Sequence, residues 1–160
     1  MTAKPATPAQ LAAPVSRYSL AQQRPTTMLS EEAAMDQVMM FLSYYDIDVA
    51  RITEEQALQQ SERTLDHLRS FIQEGRVEIR RGEGETIEVV HNLKSGASVT
   101  YYEVNADAKL AMDKYPAEAR YARVYALMGA LCKLGSDAIK KFHVRDLAVV
   151  DILGSLFMSA

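Results

Sequence analysis

A chain of 160 residues can build one domain with a sizeable core but is too short for two domains of typical size. Its formal net charge of −3 argues against a nucleic-acid-binding protein, because such proteins usually carry an excess of basic residues. No apolar run approaches the ~18 residues that a membrane span needs, so no contact with a membrane is expected.

The first segment, residues 1–29, differs in composition from the rest of the chain. It holds four of the five prolines, is rich in Ala, Thr, Ser and Gln, and shows no periodicity, which predicts an extended or disordered arm. Residues 1–30 carry three bases and no acid, whereas residues 31–75 carry ten acids and three bases, a net charge of −7. The acidic segment either steers a basic partner or forms the solvated face of two helices.

Two helices are predicted between residues 30 and 75. Ser30 followed by two glutamates is typical of a helix start, and the first helix is expected to extend to about Tyr45. Its apolar residues follow the spacing of one helical face: Ala34, Met35, Val38, Phe41, Leu42 and Tyr45. Met39 and Met40 widen this face. A capping box of Thr53 and Gln56 predicts a second helix, from Glu54 to Glu74, ending at Gly75.

The period then changes from that of a helix to that of strands. Residues 76–80, 86–93 and 97–104 alternate or carry β-branched and aromatic residues, and turn-rich segments separate them. This pattern predicts a three-stranded antiparallel meander.

Two helices are predicted after the meander. Asn105 is expected to cap a helix from Ala106 to Tyr115. Pro116 suits the first turn of the next helix, which is expected to end at Gly135.

The segment from Val144 to Met158 predicts a final helix that is apolar well beyond an ordinary amphipathic stripe. Such a helix must be buried, either in its own domain or in a partner. The elements together predict an α+β fold in which the meander is flanked by four to five helices behind the extended N-terminal arm. Residues 30–160 are expected to form the single domain, with helices in 30–75, the sheet in 76–104 and helices in 105–158.

The sequence displays no catalytic or metal-binding motif, so neither an enzyme nor a cofactor is expected. His67, His91 and His143 have no second ligand at metal-binding spacing, and each is expected at the surface or its rim. The glycine-rich turn at residues 82–85 carries two carboxylates, which would repel a phosphate. The only cysteine, Cys132, is expected to be a small buried hydrophobe because no base lies at helical spacing from it.

From about Thr86 onward the order of elements resembles the tail assembly chaperone family of long-tailed bacteriophages. The resemblance covers residues 86–158, roughly half of the chain. It begins with a hairpin formed by residues 86–90 and 99–104, followed by a polar turn and helix at residues 105–110. A helix at residues 125–135 with the pattern xxLMxxLCxLG follows. The resemblance ends in a spaced series of residues: Ile139, Phe142, Asp146, Leu147, Val150, Gly154 and Phe157.

The resemblance implies a non-enzymatic chaperone of the infected cell's cytoplasm that coats the tape measure protein and recruits tail tube subunits. Such a protein needs apolar, adaptable surfaces, and oligomers are possible. Two sets of side chains are expected to contact the partner. The first set lies on the final helix: Leu147, Val150, Leu153, Leu156, Phe157 and Met158. The second set consists of three methionines of the first helix: Met35, Met39 and Met40. The alternative is a structural component of the virion that its N-terminal arm holds to its neighbours. A further possibility is that both sets belong to the core.

Overall fold

A computed structural model of the chain describes residues 28–49 and 55–159. Within these ranges six helices accompany a three-stranded antiparallel sheet, which confirms the α+β prediction. The helices are α1 (Glu31–Tyr44), α2 (Glu55–Gln73), α3 (Ala106–Asp113), α4 (Arg120–Cys132), α5 (Ser136–Lys140) and α6 (Val144–Met158). The strands are β1 (Val77–Arg81), β2 (Ile87–Asn92) and β3 (Ser98–Tyr101).

The sheet is a meander in the order β1-β2-β3, so β1 is an edge strand. Ile79 lies opposite Val89 on β2, and Val89 lies opposite Tyr101 on β3. The Asn92 amide donates to the Arg76 carbonyl, and the Gly82 amide donates to the Thr86 carbonyl. Since hydrogen-bonded pairs alternate with non-bonded pairs in an antiparallel ladder, the even-numbered residues of β1 bond to β2. The backbone groups of Val77, Ile79 and Arg81 therefore face away from the sheet.

The core lies between one face of the sheet and the helices, and α6 contributes much of it. Helix α6 packs against α2 and α4, while α1 packs against α2 and β1. The rings of Phe41 on α1 and Phe157 on α6 meet edge-on, with their centroids 5.5 Å apart. Gly154 lets α6 approach α4, because a Cβ at this position would lie 2.6 Å from Val124 Cγ1. The apolar final helix is thus buried in its own domain.

The helix starts agree with the caps that the sequence predicted. Ser30 Oγ accepts a hydrogen bond from the Ala33 amide at the start of α1, and Asn105 Oδ1 accepts one from the Ala108 amide at the start of α3. The capping box that includes Thr53 lies outside the described residues, as do residues 1–27 of the predicted arm. None of the helices in the described ranges combines the length and the apolar character that a membrane-spanning helix needs.

Three boundaries differ from prediction by three residues or more, and a turn or a tertiary contact lies at each of them. Strand β3 ends at Tyr101, and the next amide, of Tyr102, points away from β2 and donates to the Leu131 carbonyl on α4. Residues 114–119 form turns, so the helix expected from Pro116 begins at Arg120. Helix α4 ends at Cys132 instead of Gly135, and Gly135, with a φ of 88°, becomes the N-cap residue of the short α5.

Candidate functional site

The apolar side chains of α6 that were expected to contact a partner lie mostly in the protein's own core. Val150, Leu153 and Phe157 are fully buried, Leu156 is 7% exposed, and Leu147 is half-buried against the core. Only Met158, at 38% exposure, remains open to solvent. The core of the same domain occupies this face of the helix, so the candidate surface on α6 is reduced to its C-terminal end.

Two of the three predicted methionines on α1 are exposed. Met35 and Met39 are 39% and 57% exposed, and they lie one helical turn apart. Met40 is half-buried and packs against the core. Residues two apart on a helix point about 200° away from each other, so Met35 and Met39 lie on the flank of α1 opposite Gln37. They form a small apolar surface on one side of this helix.

A second apolar surface lies on the Gln37 side of α1, where the sequence did not predict one. It is an open groove of about 310 Å³ between the start of α1, the end of α2 and the edge strand β1, and it is called here the α1–β1 groove. The groove is lined by Met28, Leu29, Gln37, Ile72, Gln73, Glu74, Gly75, Glu78, Ile79 and Arg80. Met28 and Leu29, on its wall, are 56% and 40% exposed.

Two side-chain hydrogen bonds hold the walls of the α1–β1 groove in place. Gln73 Nε2 donates to the Leu29 carbonyl at 3.4 Å, which fixes the segment before α1 against the end of α2. Gln37 Oε1 accepts a hydrogen bond of 2.8 Å from the Ile79 amide, which is one of the backbone groups that face away from the sheet. The two bonds therefore hold the start of α1 against the end of α2 and against β1.

A polar cluster is buried where the sheet meets the start of α6. His91 on β2 is fully buried, which corrects the prediction of a surface histidine. Its Nδ1 lies 2.9 Å from the hydroxyl of Tyr101, and its Nε2 lies 3.9 Å from Asp146 Oδ1, beyond hydrogen-bonding distance. The alternation along β2 contained the signal for this position, because His91 shares the parity of the buried Ile87 and Val89.

Asp146 connects this cluster to the turn after β2. Its carboxylate oxygens accept hydrogen bonds of 3.1 and 3.2 Å from the Lys94 amide, and its side chain is only 8% exposed. Asp146 also lies in the first turn of α6, where a negative charge is stabilised by the helix dipole. His143 caps the same helix, since its Nδ1 accepts from the Arg145 amide at 3.1 Å. The cluster thus fastens the β2–β3 turn to α6.

The electrostatics of the cluster favour an uncharged His91, which suits a structural role. Burial, together with the smaller effect of the positive charge of Arg76, lowers the pKa of His91 to about 4. Burial likewise raises the pKa of the Tyr101 phenol. We assign the proton of the neutral imidazole to Nε2, which leaves Nδ1 to accept from the Tyr101 hydroxyl. A neutral imidazole sealed from solvent can hold this hydrogen bond but has no open side for a substrate.

The described residues offer little for metal or thiol chemistry. No group of three or more His, Cys, Asp or Glu side chains in the described ranges could hold a metal ion. Cys132 is buried, as expected, and burial raises the pKa of its thiol, which disfavours the reactive thiolate. The candidate partner surfaces are the α1–β1 groove, the exposed Met35 and Met39 on the opposite flank of α1, and Met158 at the C-terminal end of α6.

Sequence patterning alone could not have placed this groove. Met28 and Leu29 end a segment with no periodicity, and Gln37 is a polar residue on an otherwise ordinary helix. Only the packing of α1 beside β1 brings them together.

Comparisons of the chain with protein-family models, with curated proteins and with solved structures found no significant match.

Proposed function

We propose that the chain is a non-enzymatic assembly chaperone or adaptor, which binds another assembly protein at the apolar surfaces around α1. The observation that carries this proposal is the α1–β1 groove, with Met28 and Leu29 exposed at its wall. Apolar side chains around an open groove gain free energy when a partner covers them, at about 25 cal/mol per Å² removed from water. Met35 and Met39 extend the apolar character of α1, and flexible methionines suit a surface that adapts to its partner.

The resemblance of residues 86–158 to the tail assembly chaperones supports a partner of the tape measure kind. Such a partner is a long helical protein that needs to be kept soluble until assembly. On this proposal the chain acts in the cytoplasm of an infected bacterium, and tail tube subunits are further partners. The proposed contacts shift from α6 to α1, because most of the apolar side chains of α6 are buried in the domain itself.

The test is co-expression of the tagged chain with its neighbouring genes, followed by pull-down. We expect the wild-type chain to capture a long helical protein and Leu29→Asp to lose that capture. The matched control is Leu110→Asp, since Leu110 on α3 is 61% exposed and does not line the groove. Circular dichroism of both variants establishes that they fold.

Two results would contradict the proposal. If both variants lost capture equally, or if neither variant lost it, the α1–β1 groove would not be the binding surface. Stoichiometric recovery of the chain from purified particles would contradict the chaperone role and support the structural alternative.

A further inference from the structure

The exposed methionines of α1 lie on the side of the helix that faces α2. Met35 and Met39 are four residues apart, so their side chains lie one above the other on the flank opposite Gln37. Glu31, one turn before Met35 on the same side, forms an ion pair with Arg69 of α2. The methionine pair is therefore an exposed apolar row beside the boundary between the two helices.

Helix α2 borders this row with acidic side chains. Arg69 also contacts Asp66, whose side chain is 69% exposed, and Glu62 lies one turn before Asp66. The two helices run in opposite directions, because Arg69 lies beside the start of α1 while Leu65 lines a cavity with residues 46–49, which follow its end. Glu62 and Asp66 therefore run alongside the methionines on the α2 side.

Helix α1 supplies a second acidic border, on the solvent side of the methionines. Glu32 and Asp36 are exposed and lie one turn apart, and α1 carries three acids and no base. Among the described residues, Glu32, Asp36 and Glu62 form no ion pair. Arg63 follows Glu62 directly, which places it about 100° further round α2. The surface is called here the acidic methionine surface and consists of Glu32, Met35, Asp36, Met39, Glu62 and Asp66.

We propose that the acidic methionine surface binds a helical segment of the partner whose docking face is apolar and bordered by lysines or arginines. The inference rests on the proposed function and specifies the chemistry of the partner. A helix laid along the α1–α2 boundary places its apolar residues on Met35 and Met39 and its bases beside the acids on both sides. The flexible methionine side chains allow this surface to fit more than one sequence.

The charge of the surface separates this partner from other classes. Acids without a cation attract a positively charged segment and raise its rate of association. The same acids repel the phosphates of nucleic acids and of anionic lipids. An apolar helix without bases would leave the acidic borders unpaired, so both features of the partner are needed.

The experiment is fluorescence anisotropy of two labelled synthetic peptides with the full chain. One peptide is an amphipathic helix of leucine and lysine, and the other carries glutamate at every lysine position. We expect the lysine peptide alone to bind, and to bind more weakly as salt is raised. The variant E32Q/D36N/E62Q should raise its dissociation constant about tenfold, because three exposed ion pairs that each contribute a factor of about two are lost. M35S/M39S should raise it about fivefold, because the apolar contact is lost.

Two control variants match these changes elsewhere on the surface. E83Q/E85Q/E118Q removes three exposed acids, and L110S/L134S removes two exposed apolar side chains, of Leu110 and Leu134, which are 61% and 55% exposed. Neither control should change the affinity for the lysine peptide. All of the substituted side chains are exposed, so circular dichroism can verify that every variant folds.

Three results would overturn the inference: equal binding of the two peptides, an affinity that the surface variants leave unchanged, or an affinity that the control variants lower as much. The pull-down decides the proposed function separately. If the chain captured a long helical protein and both surface variants captured it equally well, the chaperone role would stand and this surface would not be its contact. If the lysine peptide bound at this surface but no helical protein were captured, the specificity would stand and the chaperone role would not.

Discussion

In the assigned tautomer, Nδ1 of His91 accepts a hydrogen bond of 2.9 Å from the Tyr101 hydroxyl, and both side chains are fully buried. Since the pKa of His91 is lowered to about 4, the unfolded chain binds a proton at a higher pH than the folded chain does. The contribution of this group to stability is complete above about pH 6.5 and is lost as the pH falls towards 4. We expect a loss of roughly 3 kcal/mol from His91 across this range, measured by urea unfolding at several pH values.

The double variant H91F/Y101F isolates this effect from the titration of carboxylates. Replacing both partners by apolar rings of similar shape leaves no buried polar group without a partner. The stability of this variant should therefore depend less steeply on pH between 4 and 6.5 than that of the wild-type chain. His67→Gln serves as the control, because His67 is exposed. An unchanged pH slope in the double variant would show that His91 does not control acid stability.

Asp146→Ala should lower the free energy of unfolding by about 2 kcal/mol. The substitution removes the carboxylate that accepts from the Lys94 amide at 3.1 and 3.2 Å, and it leaves a partly buried amide without a partner. Chemical denaturation measures the loss. Asp137→Ala is the matched control, since Asp137 also lies in the first turn of a helix but its side chain is 92% exposed. Equal effects of the two substitutions would mean that the link to the turn after β2 contributes nothing.

Two helical glycines should resist replacement by alanine, although alanine favours a helix by about 1 kcal/mol. A Cβ at Gly154 would lie 2.6 Å from Val124 Cγ1, so we expect Gly154→Ala to destabilise the fold by about 1–3 kcal/mol. Gly129→Ala should cost more, because its Cβ would meet the backbone of Gly135 and Ser136, which cannot turn aside.

Thermal unfolding checks the order of these two glycine variants. The double variant G154A/V124A should show a favourable coupling energy, since Val124→Ala removes the atom that clashes. Additive effects in this cycle, or a Gly154→Ala variant as stable as the wild-type chain, would contradict the close approach of α4 and α6.

Ser30→Ala should destabilise the chain by about 1 kcal/mol, because the Ala33 amide then loses its acceptor at the start of α1. Ser30→Asp should be nearly neutral, since aspartate caps as well as serine and carries a charge that the helix dipole favours. Urea unfolding separates the two variants. If Ser30→Asp were as destabilising as Ser30→Ala, the serine hydroxyl would have a role other than capping.

Local chemistry predicted the elements of this fold well. Ser30 and Asn105 are caps whose effect reaches only three residues along the chain, and the final helix from Val144 to Met158 has the predicted bounds. The meander followed from alternation and from turn residues. These signals depend on neighbours in sequence, so one sequence suffices to find them.

The candidate site depends on contacts between distant residues, and these were not predictable in the same way. Gln37 reaches Ile79 across 42 positions, and Asp146 reaches Lys94 across 52. The apolar composition of α6 predicted that it is buried but could not say by what. The neighbouring helices α2 and α4 cover it, which left the exposed residues of α1 and the α1–β1 groove as the candidate surfaces. His91 was the avoidable error, because strand parity already placed it on the core face.

The position of α6 in the core also has a consequence for synthesis on the ribosome. Phe157 contacts Phe41, so a nascent chain that has made α1, α2 and the sheet still lacks the side chains that complete its core. The apolar faces that α6 covers in the folded chain stay exposed until α6 has left the exit tunnel. Loop closure over so long a separation is slow relative to local contacts. The interval before α6 emerges is therefore the time at which this chain is most vulnerable to aggregation and to proteases.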